Sequence, residues 1–489
     1  MSTDKPGQEF SPSRPSRRGF LTASAVAAVA GATSIAAPGT AFADSGDAES
    51  ASAWPPGPGN RIRPQAPSRE LREILNDLDE NRLRAVVQKL TTFGTRHTLS
   101  SQTDPVRGIG AARDWIFAAM QEIAAASNGT ATVQMQGFTQ PVSPNIPTPT
   151  VITNVIATIR GSVTPNRIFV ITGHYDSRVT DLANFTSDAP GADDDASGVA
   201  NVFELLRVFS THQPKSTVVL AAVAGEEEGL YGSTFMAAQM KAAGADIQGM
   251  FSNDIVGSST ADDGTRDPHN VRLFAEGVPT SETPLQAAHR QLVGGESDSA
   301  SRQLARFVTN VAANEHTDMN VRIIYRRDRY DRGSDHIPFL RNGYPAGRFT
   351  EPRENFAHQH QDTRLVNGVQ FGDLIEFMDF DFLHRVVKVN ASTLWSLANG
   401  PGTPKNVLID DAVLTNQSTL HWDATGDPDI AGYEIVWREC TEPDWTHAIP
   451  VGNVTTATVP LIKDNTFIAV RSVNTAGMHS PVAFPTPNP

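Results

Sequence analysis

The sequence predicts an α/β protein: a three-layer sandwich with a mixed, largely parallel central sheet, followed by a small all-β sandwich at the C-terminus. Three observations predict it. Short β-branched runs alternate with helical stretches from about residue 150 to 398, the pattern of a sheet joined by crossover helices. Three of those runs end in His or carboxylate clusters, as strands do when their carboxyl ends gather at one edge of an open sheet. From residue 405 the helical periodicity stops, and short alternating strands divided by Gly, Asp, Asn and Pro turns replace it.

Taken in order, the chain opens with Ser16-Arg17-Arg18-Gly19-Phe20-Leu21, an uncharged Ala-rich stretch, and the small-x-small site Ala41-Phe42-Ala43. A basic region, a modestly apolar region and such a site predict a secretory signal over residues 1–43. The twin arginines resemble the bacterial Tat type, which implies a secreted, extracellular protein exported from a bacterium. Residues 44–67, rich in Ser, Pro, Gly and Ala, read as a linker or pro-segment. Apolar periodicity predicts helices near 69–92 and 106–126, then near 196–210, 230–242, 297–314 and 369–398. Strands are predicted at Val151–Ile159, Arg167–Thr172, Thr217–Ala224, Gly249–Asn253, Val321–Tyr325 and Ala346–Phe349. Pro401-Gly402-Thr403-Pro404 ends a domain spanning 68–400. In the 405–489 tail, Trp422 and Asp429-Ile430-Ala431-Gly432-Tyr433-Glu434-Ile435 resemble a fibronectin type III module.

Composition removes several functions. Lys+Arg 40 against Asp+Glu 54 gives a net charge of −14, and no basic block appears, so nucleic acid is excluded as a partner. The apolar stretch of the signal is too short and too rich in small residues for a membrane anchor. Hydrophobic residues at 39% and charged residues at 19% suit a soluble globular chain, expected as a monomer. The single cysteine, Cys440, excludes disulfides and Cys-ligated metal; a buried structural thiol is expected there. Any metal must be held by His and carboxylates.

Those residue types collect in five places. Ile168–Thr172 runs into Gly173-His174-Tyr175-Asp176, Val218–Ala224 into Gly225-Glu226-Glu227-Glu228-Gly229, and Met250–Asn253 into Asp254. Asp193-Asp194-Asp195 precedes a helix, where Asp195 is placed to cap and Asp194 to meet a cation. His358-Gln359-His360-Gln361-Asp362-Thr363 adds late histidines. Each cluster alone reads as a solvated turn or a cap. Five in one chain, three at strand ends, point to one site.

The motifs G-H-Y-D-S, P-G-A-D-D-D-A-S-G, G-E-E-E-G-L-Y-G-S, N-D-I-V-G, G-S-D-H-I-P-F and H-Q-H-Q-D-T resemble the secreted zinc-dependent aminopeptidases typified by bacterial leucyl aminopeptidases, a family that includes glutamate carboxypeptidase II and glutaminyl cyclases. The resemblance implies two Zn2+ per chain. His174 and Asp254 would hold one, Glu227 and His358 the other, and Asp194 would bridge them. Asp176 would orient the His174 imidazole, and Glu226 would act as general base and acid. Peptides with a free N-terminus would be the substrates. Two metals lower the pKa of water and polarise the carbonyl, which peptide hydrolysis at neutral pH requires.

The last motif departs from the family's H-x-P-x-D-T. Counting back from Asp362-Thr363 selects His358, and His360 is its rival. Ala357 stands where some relatives carry an oxyanion-stabilising tyrosine, which leaves Tyr330 or another side chain for that role. Ser334-Asp335-His336 reads as support for the site, and Asp262, Asp263 and Asp267 as a polar turn. The same centre could serve a carboxypeptidase or dipeptidase, which needs a cationic clamp; Arg326, Arg327, Arg329, Arg332 and Arg348 are the candidates. An inactive peptidase fold used for binding would not need Glu226 and a full ligand set.

Overall fold

A computed structural model describes residues 57–488; the expected signal and residues 44–56 of the expected linker lie outside the described residues. At the centre is an eight-stranded sheet in the order Ala131–Gln140, Thr150–Ile159, Ser216–Val223, Thr164–His174, Asp246–Asn253, Ala346–Thr350, Asn270–Phe274, Asn320–Ile324. The four strands from Ser216–Val223 to Ala346–Thr350 run parallel; Thr150–Ile159 and Asn270–Phe274 join them antiparallel at either side, and Asn320–Ile324 runs parallel to Asn270–Phe274. Every residue of Ser216–Val223 is buried, as a strand covered on both faces must be.

Period-two alternation divides the sheet's side chains between two cores. Phe169, Ile171, Leu220 and Phe251 pack with the helices Ala196–Thr211 and Phe380–Asn399 on one face. Val170, Val219, Ala221 and Met250 pack with Tyr231–Ala242 and His336–Arg341 on the other. Each such buried Val, Leu, Ile, Met or Phe side chain contributes roughly 1.5–3 kcal/mol relative to exposure.

The three-layer α/β arrangement is as expected, and the differences are local. The helix expected over 69–92 is two, Arg69–Asp77 and Glu80–Thr91, because Asp79 caps the second by accepting Asn81 N–H at 2.8 Å. The stretch expected as helix from 369 begins at Phe380, where Asp379 accepts Phe382 N–H at 3.1 Å; Arg364–Val366 and Val369–Phe371 pair as a hairpin instead. The edge strand Ala131–Gln140 is not among the expected strands, because its exposed polar positions dilute its apolar run.

The C-terminal region forms two four-stranded sheets with Ile409, Leu420, Trp422, Tyr433, Ile435 and Val470 in one core. Asn60–Arg61 joins one of these sheets beside His447–Ala448, and Trp437 Nε1 donates to Pro58 O at 2.8 Å. The end of the expected linker is thus built into the sandwich. Buried ion pairs tie the sandwich to the α/β layers, with Arg167 donating to both Asp427 oxygens at 2.8 and 3.0 Å and Arg438 to Asp298 at 2.8 Å. Cys440, expected to be buried, is exposed. No helix among the described residues is long and apolar enough to cross a membrane.

Candidate metal centre

His174 is the last residue of its strand, Asp254 follows Asn253, and Glu226 and Glu227 follow the turn at Gly225 after Ser216–Val223. Asp195 caps Ala196–Thr211: it accepts Gly198 N–H at 2.9 Å and His174 N–H at 2.9 Å. That cap brings Asp194 to the strand ends. The approach requires glycine. A Cβ on Gly198 would lie 2.2 Å from Asn253 O, and one on Gly173 would lie 2.3 Å from the Gly198 carbonyl carbon.

Asp194 stands in the middle. Its Oδ1 is 3.0 Å from His174 Nε2 and its Oδ2 is 2.8 Å from His360 Nε2. Asp254 Oδ1 lies 4.0 Å from His174 Nε2, and Glu227 Oε2 lies 3.1 Å from His360 Nε2. Two donor groups result, His174–Asp194–Asp254 and Asp194–Glu227–His360, each with its ligand atoms within 4.8 Å of one another. Each offers one imidazole and two carboxylates, a set that suits zinc. His174 Nε2 and Glu227 Oε1 are buried without a hydrogen-bond partner, which is where a cation would take a lone pair. The residues fit the metal.

The structure brings His174, Asp194, Glu227 and Asp254 together, but not His358. The His358 ring stacks on Phe377 with centroids 3.6 Å apart, and burial lowers its pKa. His360 takes the place assigned to it. Its backbone is left-handed, with φ 52°, a reversal that spacing along a motif does not reveal.

Charge runs high in the centre. Burial alone would lower both imidazoles, yet Asp176 and Asp194 hold His174 well above its usual range, and Glu227 and Asp194 lift His360 to about 10. Burial is likewise opposed at Asp194, which the two imidazoles hold well below the usual carboxylate range. Glu226 moves the other way: the protein packed around it, with Asp254, Glu227 and Asp335, pushes it well up. Asp176 Oδ1 is 3.6 Å from His174 Nδ1, and the Asp176 carbonyl is 3.2 Å from the same nitrogen. Both acceptors favour the tautomer that leaves Nε2 free.

Among the remaining candidates, His336 is buried with Nε2 2.9 Å from Arg327 O, and burial raises Asp335 to about 7. Neither belongs to a donor group. Tyr330 is 81% exposed, its ring against Arg326. Arg348 is fully buried on Asp254 at 2.9 Å, while Arg329 and Arg332 pair with Glu354 at 3.1 and 2.7 Å. Asp263 accepts Thr265 N–H at 2.8 Å in a polar turn.

Three further residues stand beside the expected ones. Asp373 accepts the Asp193 and Asp194 N–H groups at 2.8 and 2.7 Å, from a segment without a motif. Arg178, two residues beyond Asp176, lies 3.3 Å from Glu227 and had a signal in its position beside G-H-Y-D-S. Glu228, third in its run, is buried 3.2 Å from His97 Nδ1.

Residues 154–366 match the family described as Peptidase family M28. The chain is 52% identical over 456 residues to a "probable zinc metalloprotease" of Pyrenophora teres f. teres (strain 0-1), covering 93% of this chain and 94% of that one. It is 52% identical over 426 residues to another of Leptosphaeria maculans (strain JN3), covering 87% and 99%. Among solved structures, the LapA aminopeptidase of Legionella pneumophila is similar with a TM-score of 0.48 and 16% identity, over 68% of this chain and 74% of that one.

Proposed function

The chain belongs to peptidase family M28 and is a relative of zinc metalloproteases, and from that premise we propose that it is an exported two-zinc aminopeptidase acting on peptides with a free N-terminus. The observation that carries this reading is Asp194, whose two oxygens face imidazoles of two different donor groups at 3.0 and 2.8 Å. One carboxylate shared in that way suits a pair of cations. When bound, the zinc ions supply Lewis acidity toward the scissile carbonyl and lower the pKa of water.

The chain's own residues do the rest. Asp176 orients His174, and Asp373 anchors the backbone that carries Asp194. Glu226, beside the donor groups but in neither of them, takes the proton of the attacking water and returns it to the departing amine. Arg17-Arg18 and Ala41-Phe42-Ala43 support export. The carboxypeptidase alternative has weaker support. Of its clamp candidates, Arg348 is committed to Asp254 and Asp328, and Arg329 and Arg332 to Glu354.

Hydrolysis of a leucyl chromogenic amide beside its N-acetylated twin tests the proposal. Cleavage of the free amine alone, abolished by a zinc chelator and restored by zinc, is expected. Cleavage of neither, by protein holding zinc, overturns it and favours release from the C-terminus.

A further inference from the structure

The two imidazoles of the centre face opposite kinds of neighbour through their far nitrogens. His174 Nδ1 lies 3.2 Å from the Asp176 carbonyl, an acceptor. His360 Nδ1 lies 2.9 Å from Arg178 NH2, a nitrogen that can only donate. A neutral imidazole that gives Nε2 to a cation carries its proton on Nδ1. At His174 that proton meets an oxygen. At His360 it meets another N–H.

Charge adds to the conflict. Arg178 Nε is 3.3 Å from Glu227 Oε2, so a cation shared by Glu227 and His360 shares its carboxylate with a guanidinium. The other half also has an arginine, Arg348, 2.9 Å from Asp254 Oδ1. Arg348 differs in two ways. It is fully buried and held by Asp328 at 3.2 Å, which offsets its charge, and it does not touch His174 among the contacts of the described residues. Arg178 has no second carboxylate within 4.0 Å among the described residues, and its side chain is 21% exposed, which leaves it room to turn outward.

We propose that Arg178 guards the Glu227–His360 half of the centre: Asp176 presets His174 for the first zinc, whereas the second binds only by turning the guanidinium away from His360 and Glu227. The inference rests on the two-zinc reading above. It makes the two halves unequal in affinity and places the cause in one side chain.

Competition for zinc between the full-length chain and a chromogenic chelator tests it, with stoichiometry and affinity as the readouts. The native chain is expected to bind one zinc tightly and a second at least tenfold more weakly. Arg178→Met, which keeps the stem and removes donor and charge, should tighten the second zinc at least tenfold and leave the first within threefold. Arg178→Gln serves as a second neutral variant with the same expectation. A second zinc unchanged or weakened in both variants, with two zincs still bound, overturns the role of Arg178 alone. A single zinc in the native chain and in both variants overturns the two-zinc reading as well.

Discussion

His360 Nε2 lies 2.8 Å from Asp194 Oδ2, two positions beyond the histidine that motif spacing selects. The left-handed backbone at His360 turns its ring toward Asp194 and Glu227, while the His358 ring lies flat on Phe377. The two histidines can therefore be told apart by substitution. His360→Ala should lose about 100-fold or more in kcat/KM, on the order of 3 kcal/mol of transition-state stabilisation, together with zinc. His358→Ala should keep activity within about tenfold, because it removes a stacking contact worth roughly 1 kcal/mol. Zinc analysis beside steady-state kinetics decides; the reverse ranking would return His358 to the centre.

Glu226 is separable from the two donor groups. It belongs to neither donor group, and its carboxyl is pushed up by burial and neighbouring acids. Glu226→Gln should lower kcat by about 10²–10⁴ while zinc content stays at the native value. Loss of zinc in this variant would mean that Glu226 holds metal and that its assignment as base is mistaken.

The pair Arg167–Asp427 reaches from the central sheet to the sandwich across 260 residues of sequence, and both side chains are buried. Breaking it leaves one charge buried without a partner. Asp427→Ala should cost about 3–5 kcal/mol, read by chemical denaturation. It should also weaken the docking of the sandwich, since Asp427 Oδ2 accepts Gly402 N–H at 2.9 Å. A cost below about 1 kcal/mol would show that the sandwich is held mainly by other contacts.

His479 supplies a pH dependence remote from the centre. Burial, with Arg471 beside it, lowers its pKa from 6.5 to about 4. Between those values the unfolded chain binds a proton that the folded chain does not, so stability rises with pH across this window and falls on acidification. The native chain should lose roughly 2–3 kcal/mol from this group between pH 6.5 and 4, and His479→Gln should flatten that part of the profile. Parallel profiles for both proteins would mean that His479 is solvated.

Much was legible in the residue order because the information was local. Alternation of β-branched runs with amphipathic stretches marked the central strands, and His174, Asp194, Glu227 and Asp254 each sit at an element boundary where side chains must converge. Asp195 was readable as a cap, and its bond to Gly198 N–H is that cap. Residues 57–67 were not legible: they look like linker, and only pairing with His447–Ala448, some 390 positions away, makes a strand of Asn60–Arg61.

Sequence alone determined the fold class and the parallel centre of the sheet, and it named four of the five residues that the structure gathers into the two donor groups, because periodicity and element ends are properties of neighbouring residues. Tertiary structure decided the rest. It chose His360 over His358 through a backbone reversal, and it placed Arg178 on Glu227 and Asp373 beneath Asp194 from segments 49 and 179 residues distant. It also committed Arg348 to Asp254. Charges buried together find their partners through space, and residue order carries no record of that distance.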